Sequence, residues 1–376
     1  MIARPPTLVM LLGVILAGAC SHSDSFPTVP DRPDGAFGSE TPTRLTYNPG
    51  DDAWPAISGP GRLSYQFRRG TPDRDICAGV MPDGGGPRMA EACAWETDEA
   101  SRSDLFGAAV LLDDGRFLWT RHQSGTGNQA PQDGGLYLGP RGSPRTAVRV
   151  LSLLRQPAGA SARWDVLVDP VQTGPDEITA LAAQWYIGPT IKFGPVDTII
   201  RGVEIARISL TTVPATVTVL APAPDAIAWA RDAGSGHLYY ARPTYVPPSE
   251  DSLYRPIADT VFQAGGGGGT PVWGRPEMPN QVSGRLEGLA VGGGRVFVAY
   301  RWAEYLPPVP PAPPLLQTTS RIVEITNGTA SAPRASRIGT TPDHWGRLAI
   351  TQDGSALIAE SIRSTGRDLY RIGVTP

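Results

Sequence analysis

Glu287 is the residue whose neighbourhood most suggests chemistry. It stands in Arg285-Leu-Glu-Gly-Leu-Ala290, where a carboxylate beside a glycine at the head of an apolar run could offer oxygen to a divalent cation such as calcium. Such a site needs further carboxylates or amides from other elements. No other cofactor is implied. The four histidines, His22, His122, His237 and His344, lie far apart with no His-x-Glu-x-x-His spacing, so they do not form a zinc motif. No Gly-x-Ser-x-Gly elbow occurs, which removes the usual serine hydrolase. Gly265 to Gly269 is followed by neither lysine nor a helical pattern and reads as a connector rather than a phosphate loop. Lys192 is the only lysine, and 33 basic residues are balanced by 36 acidic ones for a net charge of -3. That balance argues against a phosphate-binding surface and against nucleic acid as a partner.

The three cysteines divide into one and two. The chain begins with Arg4 as its first positive charge, an apolar run from Leu8 to Ile15, and Leu16-Ala-Gly-Ala-Cys20-Ser21. A short apolar core before small residues is a secretory signal, and it is too short to span a bilayer as a helix. Ala17-Gly-Ala-Cys20 resembles a bacterial lipobox. The resemblance implies cleavage after residue 19, acylation of Cys20 and a membrane-held protein on the periplasmic side of the envelope, with Ser21 implying outer-membrane sorting. Cys77 and Cys93 then remain as a pair that an oxidising compartment can join, a cross-link worth about 3 kcal/mol in the chain-entropy model. Residues 20–42, rich in Ser, Asp, Pro and Gly, read as a flexible tether.

From residue 43 to 376 one module recurs: a strand, a tight turn, a second strand, and later a short third strand. Trp54 to Ser58, Gly59-Pro-Gly61 and Leu63 to Phe67 form one copy; Gly107 to Leu112, Asp113-Asp-Gly115 and Phe117 to Thr120 form the next. Successive copies start at Trp54, Gly107, Trp164, Ala226, Glu287 and Gly346, that is 53, 57, 62, 61 and 59 residues apart. Asp-Gly and Gly-rich turns are the chemistry of tight hairpins. Third strands are expected at Gly135 to Leu138, Val203 to Ile208, Ser252 to Tyr254, Arg321 to Ile325 and Asp368 to Ile372, and a fourth at Thr216 to Leu220. Four strands per copy, arranged radially, make an all-β, single β-propeller of about six blades. The chain stops soon after the last third strand, so Arg44 to Tyr47 is expected to complete that blade.

Ala56-Ile-Ser58 with Leu63-Ser-Tyr65, and Leu348 to Gly354 with Asp368-Leu-Tyr370, resemble the repeats of TolB-type, WD-repeat-like propellers. The resemblance covers most of 44–376 and implies the propeller fold. The positions equivalent to Glu287 hold Trp54, Gly107, Trp164, Ala226 and Gly346, which are poor ligands. The expected function is a lipid-anchored, non-catalytic binding or scaffolding module for an envelope protein or a cell-wall saccharide. The alternative is a channel-centred, metal-dependent hydrolase or lactonase using Glu287. The proline-rich stretch from Tyr305 to Pro314 reads as a stiff inserted loop, and the nine tryptophans as packing between blades, or as a sugar platform where exposed.

Overall fold

The computed structural model describes residues 42–46, 51–58, 62–68, 74–80, 90–95, 104–123, 133–140, 146–153, 164, 166–187, 198–246, 255–275, 281–306, 315–331, 337–338, 341–342, 344–363 and 366–374. Among these there is no α-helix, and a 3₁₀ turn occurs at Gly266–Gly268. Residues 1–41, with Cys20, and the proline loop 307–314 lie outside the described residues.

Five antiparallel blades are each built from four consecutive strands. Blade 1 comprises Asp51–Ile57, Arg62–Arg68, Arg74–Val80 and Ala90–Trp95, and blade 2 Asp104–Leu111, Arg116–Gln123, Asp133–Pro140 and Val148–Ser152. Blade 3 comprises Val166–Gly174, Glu177–Ile187, Thr198–Ser209 and Thr216–Ala226, and blade 4 Ala228–Arg231, Leu238–Val246, Arg255–Gln263 and Thr270–Arg275. Blade 5 comprises Gln281–Gly292, Arg295–Leu306, Leu315–Thr326 and Thr329–Ala330. The remaining four-stranded sheet is composite: His344–Ile350, Ala356–Arg363 and Gly366–Gly373 are completed by Thr43–Arg44 from the other end. Self-contained blades therefore number five rather than about six. A two-stranded ribbon, Arg337–Ile338 with Thr341–Pro342, precedes the composite sheet.

The first strand of each sheet touches its counterparts on either side, from blade 1 round to the composite sheet and back to blade 1. A single closed β-propeller results. Its second strands are buried on both faces: Ile178 to Ala183, Val296 to Tyr300 and Ala356 to Ser361 are continuous buried runs. The outer strand Thr216–Ala226 is mostly exposed, as a rim strand should be. The core is accordingly a ring of wedges. Leu118, Leu136 and Ile178 pack between blades 2 and 3, Val168, Leu181 and Trp229 between 3 and 4, and Tyr239, Val291 and Trp302 between 4 and 5.

Closure uses both chain ends. Thr43 pairs with Arg371 and Arg44 with Tyr370, and the Leu45 N–H donates to the Leu369 carbonyl at 2.8 Å. Arg44 forms an ion pair with Asp368 at 2.7 Å, with side-chain exposures of 6% and 13%, and the Leu369 N–H donates to the Thr46 hydroxyl. Leu45 is fully buried with Leu63, Tyr65, Ile358 and Leu369 between the composite sheet and blade 1.

One expected strand position differs, and one falls outside the described residues. Ala226 ends the outer strand of blade 3, opposite Gly202, so blade 4 starts at Ala228; the apolar run Ala226 to Trp229 straddles two blades and its periodicity hides the boundary. Ser252 to Tyr254 lies outside the described residues, and the third strand of blade 4 is Arg255–Gln263.

Deleting residues up to Thr46 removes this closing strand, a buried leucine and a mostly buried ion pair. Burial of the leucine alone contributes about 2–3 kcal/mol. The truncated protein should unfold at clearly lower denaturant concentration than the intact chain; an unchanged midpoint in urea would show that the strand does not lock the ring.

Candidate functional site

The first strands carry irregularities at one level of the central channel. Register shifts place Trp54-Pro55 of blade 1, Gly107-Ala108 of blade 2, Asp169-Pro170 of blade 3, Glu287 of blade 5 and Gly346-Arg347 of the composite sheet as extra residues opposite their second strands. A β-bulge bends its strand and re-aims a side chain. Trp54 and Asp169 hold φ of 57° and 48°, a left-handed conformation that costs a non-glycine residue about 1–3 kcal/mol and is retained where the surroundings demand it.

What these bulges bring together is an ion pair across the channel. Arg347 Nη1 donates to both carboxylate oxygens of Asp169, although the two sheets stand on opposite sides of the ring. The guanidinium carbon also lies 5.2 Å from the centre of the Trp54 ring, a cation–π distance. The bulge of blade 3 is held in turn by Trp229, whose indole N–H donates to the carbonyls of Val168 and Asp169, both at 3.0 Å. Behind Arg347, Glu360 is 1% exposed and accepts from Arg367 at 2.6 Å and from the Trp54 N–H at 3.4 Å. Burial pushes its carboxyl up, against the pull of Arg367 and Arg347. A Cβ on Gly346 would stand 3.0 Å from the Glu360 carboxyl carbon, so the glycine makes room for that side chain.

On one side of the Arg347–Asp169 pair the channel widens into a cavity of about 670 Å³. Apolar walls come from Ile57, Val171, Leu289, Val291 and Ile350, and polar groups from Arg62, Asp113, Gln172, Arg231 and Gln352. Lining residues in the hairpin turns, including Asp113, Pro175 and Ala233, place the mouth among those turns.

Glu287 does not line this cavity. It occurs within strand Gln281–Gly292 rather than at its start, and its carboxylate takes Arg285 Nε and Arg301 Nη2, each at 2.8 Å. The glycine beside it serves packing, since a Cβ on Gly288 would come within 2.5 Å of the Gly346 carbonyl oxygen in the next sheet. His344 stands near this carboxylate; burial and Arg301 lower its pKa, while Glu287 opposes them. Among the described residues no three His, Cys, Asp or Glu side chains are grouped to hold a metal. His237 sits in an exposed turn, and Gly265 to Gly269 is a connecting turn whose Gly268 carbonyl accepts from the Tyr240 hydroxyl.

Cys77 and Cys93 are directly opposite in register on the third and fourth strands of blade 1. Of the tryptophans with described side chains, Trp119, Trp164, Trp229, Trp273, Trp302 and Trp345 are buried and Trp54 is half-buried. Their described rings pack inside the protein and form no exposed row. The residues that the motifs missed are Asp169, Arg347 and Arg231. Asp169-Pro170 and Trp54-Pro55 share an X-Pro step at the same place in two copies, and that was the available signal.

No protein-family model matches the chain, and no curated protein sequence does. Solved structures overlap it loosely. A gluconolactonase from Xanthomonas campestris does so at 12% identity and TM-score 0.44, over 93% of this chain and 94% of that one. The β-propeller domain of Cps50 (Swd1) from Myceliophteria thermophila does so at 10% and 0.40, over 87% and 98%, and Trypanosoma rangeli sialidase at 10% and 0.43, over 86% and 55%. The fold rests on the strand pairing itself.

The cross-channel pair is partly exposed, at 26% for Arg347 and 30% for Asp169, so its worth is modest. Asp169→Asn should cost about 1 kcal/mol, and Asp169→Asn with Arg347→Gln less than the two single changes summed. Strict additivity in a denaturation cycle would show that the two residues do not interact.

Proposed function

We propose that the chain is a lipid-anchored propeller of the bacterial envelope, held through Cys20 on the periplasmic side, that acts as a non-catalytic binding module through its central cavity. The observation that carries the binding reading is the channel itself. One end is crossed by Arg347 and Asp169, the other is open, and the cavity between combines apolar walls with a few polar groups, the usual make-up of a small-ligand site. The rival hydrolase would need Glu287 released from Arg285 and Arg301 before its carboxylate could hold calcium.

Ala233 is exposed and lies at the mouth. Ala233→Trp should leave folding intact and abolish the thermal shifts produced by cavity ligands in a small-metabolite screen. Calcium-dependent turnover of a lactone or ester that disappears in Glu287→Gln would overturn the binding reading in favour of the enzyme.

The address rests on the lipobox resemblance, and the disulfide on register. Directly opposed residues in antiparallel strands have Cα atoms about 4.5–5.5 Å apart, inside the span of a disulfide. Intact mass of the membrane-extracted protein should show acyl chains that Cys20→Ser removes, and two further hydrogens on reduction of Cys77–Cys93. An unacylated native mass would remove the anchor, and no gain on reduction would remove the cross-link.

A further inference from the structure

Charge inside the cavity does not cancel. Three arginines, Arg62, Arg231 and Arg347, line it against two aspartates, Asp113 and Asp169. Arg62 is paired with Asp113 at 3.1 Å and Arg347 with Asp169. Arg231 has no acidic partner among the described residues. It ends the first strand of blade 4, half-buried. Two aspartates in the hairpin turns of blade 4 and the composite sheet are engaged within their own turns. Asp232 accepts from the Gly234 N–H at 3.1 Å and the Ser235 hydroxyl at 2.7 Å, and Asp353 accepts from Thr351 and Ser355 within its own turn. A guanidinium, with its fixed fork of donors, favours a planar carboxylate.

We propose that the cavity takes a small monocarboxylic acid with an apolar body, its carboxylate on Arg231 and its chain along Ile57, Val171, Leu289, Val291 and Ile350. This rests on the binding reading of the same cavity and names its ligand class. One unpaired cation beside apolar walls suits a single negative charge on a hydrocarbon better than a phosphate, which would bring more charge than Arg231 neutralises.

The test is titration calorimetry on the full mature protein with octanoate, octanamide and octan-1-ol, and with inorganic phosphate as a control. Octanoate should bind at least about tenfold more tightly than octanamide, as a charge-assisted hydrogen bond implies. Arg231→Gln should erase that preference while retaining octanol binding, which shows that the variant is folded. Equal binding of the three octyl compounds, lost in Ala233→Trp, would overturn the carboxylate and leave the cavity as a binding site. A response to phosphate alone would also overturn the ligand class. No binding of any of the four compounds would overturn the ligand class, while the binding reading itself falls only if the small-metabolite screen finds no ligand that Ala233→Trp displaces.

Discussion

Everything in this molecule depends on the pairing of Thr43–Arg44 with the last strand. A ring of sheets has its core between neighbours, so an open ring would leave two apolar faces in water. Leu45, Leu63, Tyr65, Ile358 and Leu369 are the faces that would be exposed. The hydrogen bonds around Leu369, the Arg44–Asp368 pair and the Leu45 side chain together join sheets formed from distant parts of the chain. Because the ring is closed, the first strands are forced to converge, and the channel exists as a consequence.

Convergence creates crowding, and the bulges relieve it while aiming side chains inward. Gly288 allows its backbone to pass against the next sheet, and Gly346 leaves room for the Glu360 side chain. Asp169 and Trp54 accept an unfavourable φ so that a carboxylate and an indole meet Arg347. Two charges that would be costly apart in a narrow channel satisfy one another there. The remaining space is shaped by what that pair leaves open, so the site and the closure of the fold share one origin.

Much of the architecture is legible from the residues. Asp113-Asp-Gly115 is the turn expected, with Gly115 at φ 85°, and the final third strand contains Asp368 to Ile372 as expected. The last copy shows no outer strand of its own in sequence, which points to Arg44 to Tyr47 as its closing strand. The site was much less legible. Spacing marks turns and strands, whereas the partnership of Arg347 with Asp169 joins residues 178 apart through the ring. Glu287 stands out by its neighbours in sequence, yet its carboxylate is engaged by Arg301 from the adjacent strand. Arg231 carries no local signature, since its isolation is a property of where other carboxylates point.

The latch at the chain ends also imposes an order of events. The first of the described strands emerges earliest from any exporting or synthesising machinery, yet its partner around Tyr370 is made some 320 residues later, as the 324-residue separation of Arg44 and Asp368 records. Contacts of such long range form late and slowly. Until then the first and last sheets present uncovered edges, which invite pairing with other chains. A strand of only two residues, Thr43–Arg44, is a poor template for such mispairing, and its brevity protects the chain through the interval in which it must wait.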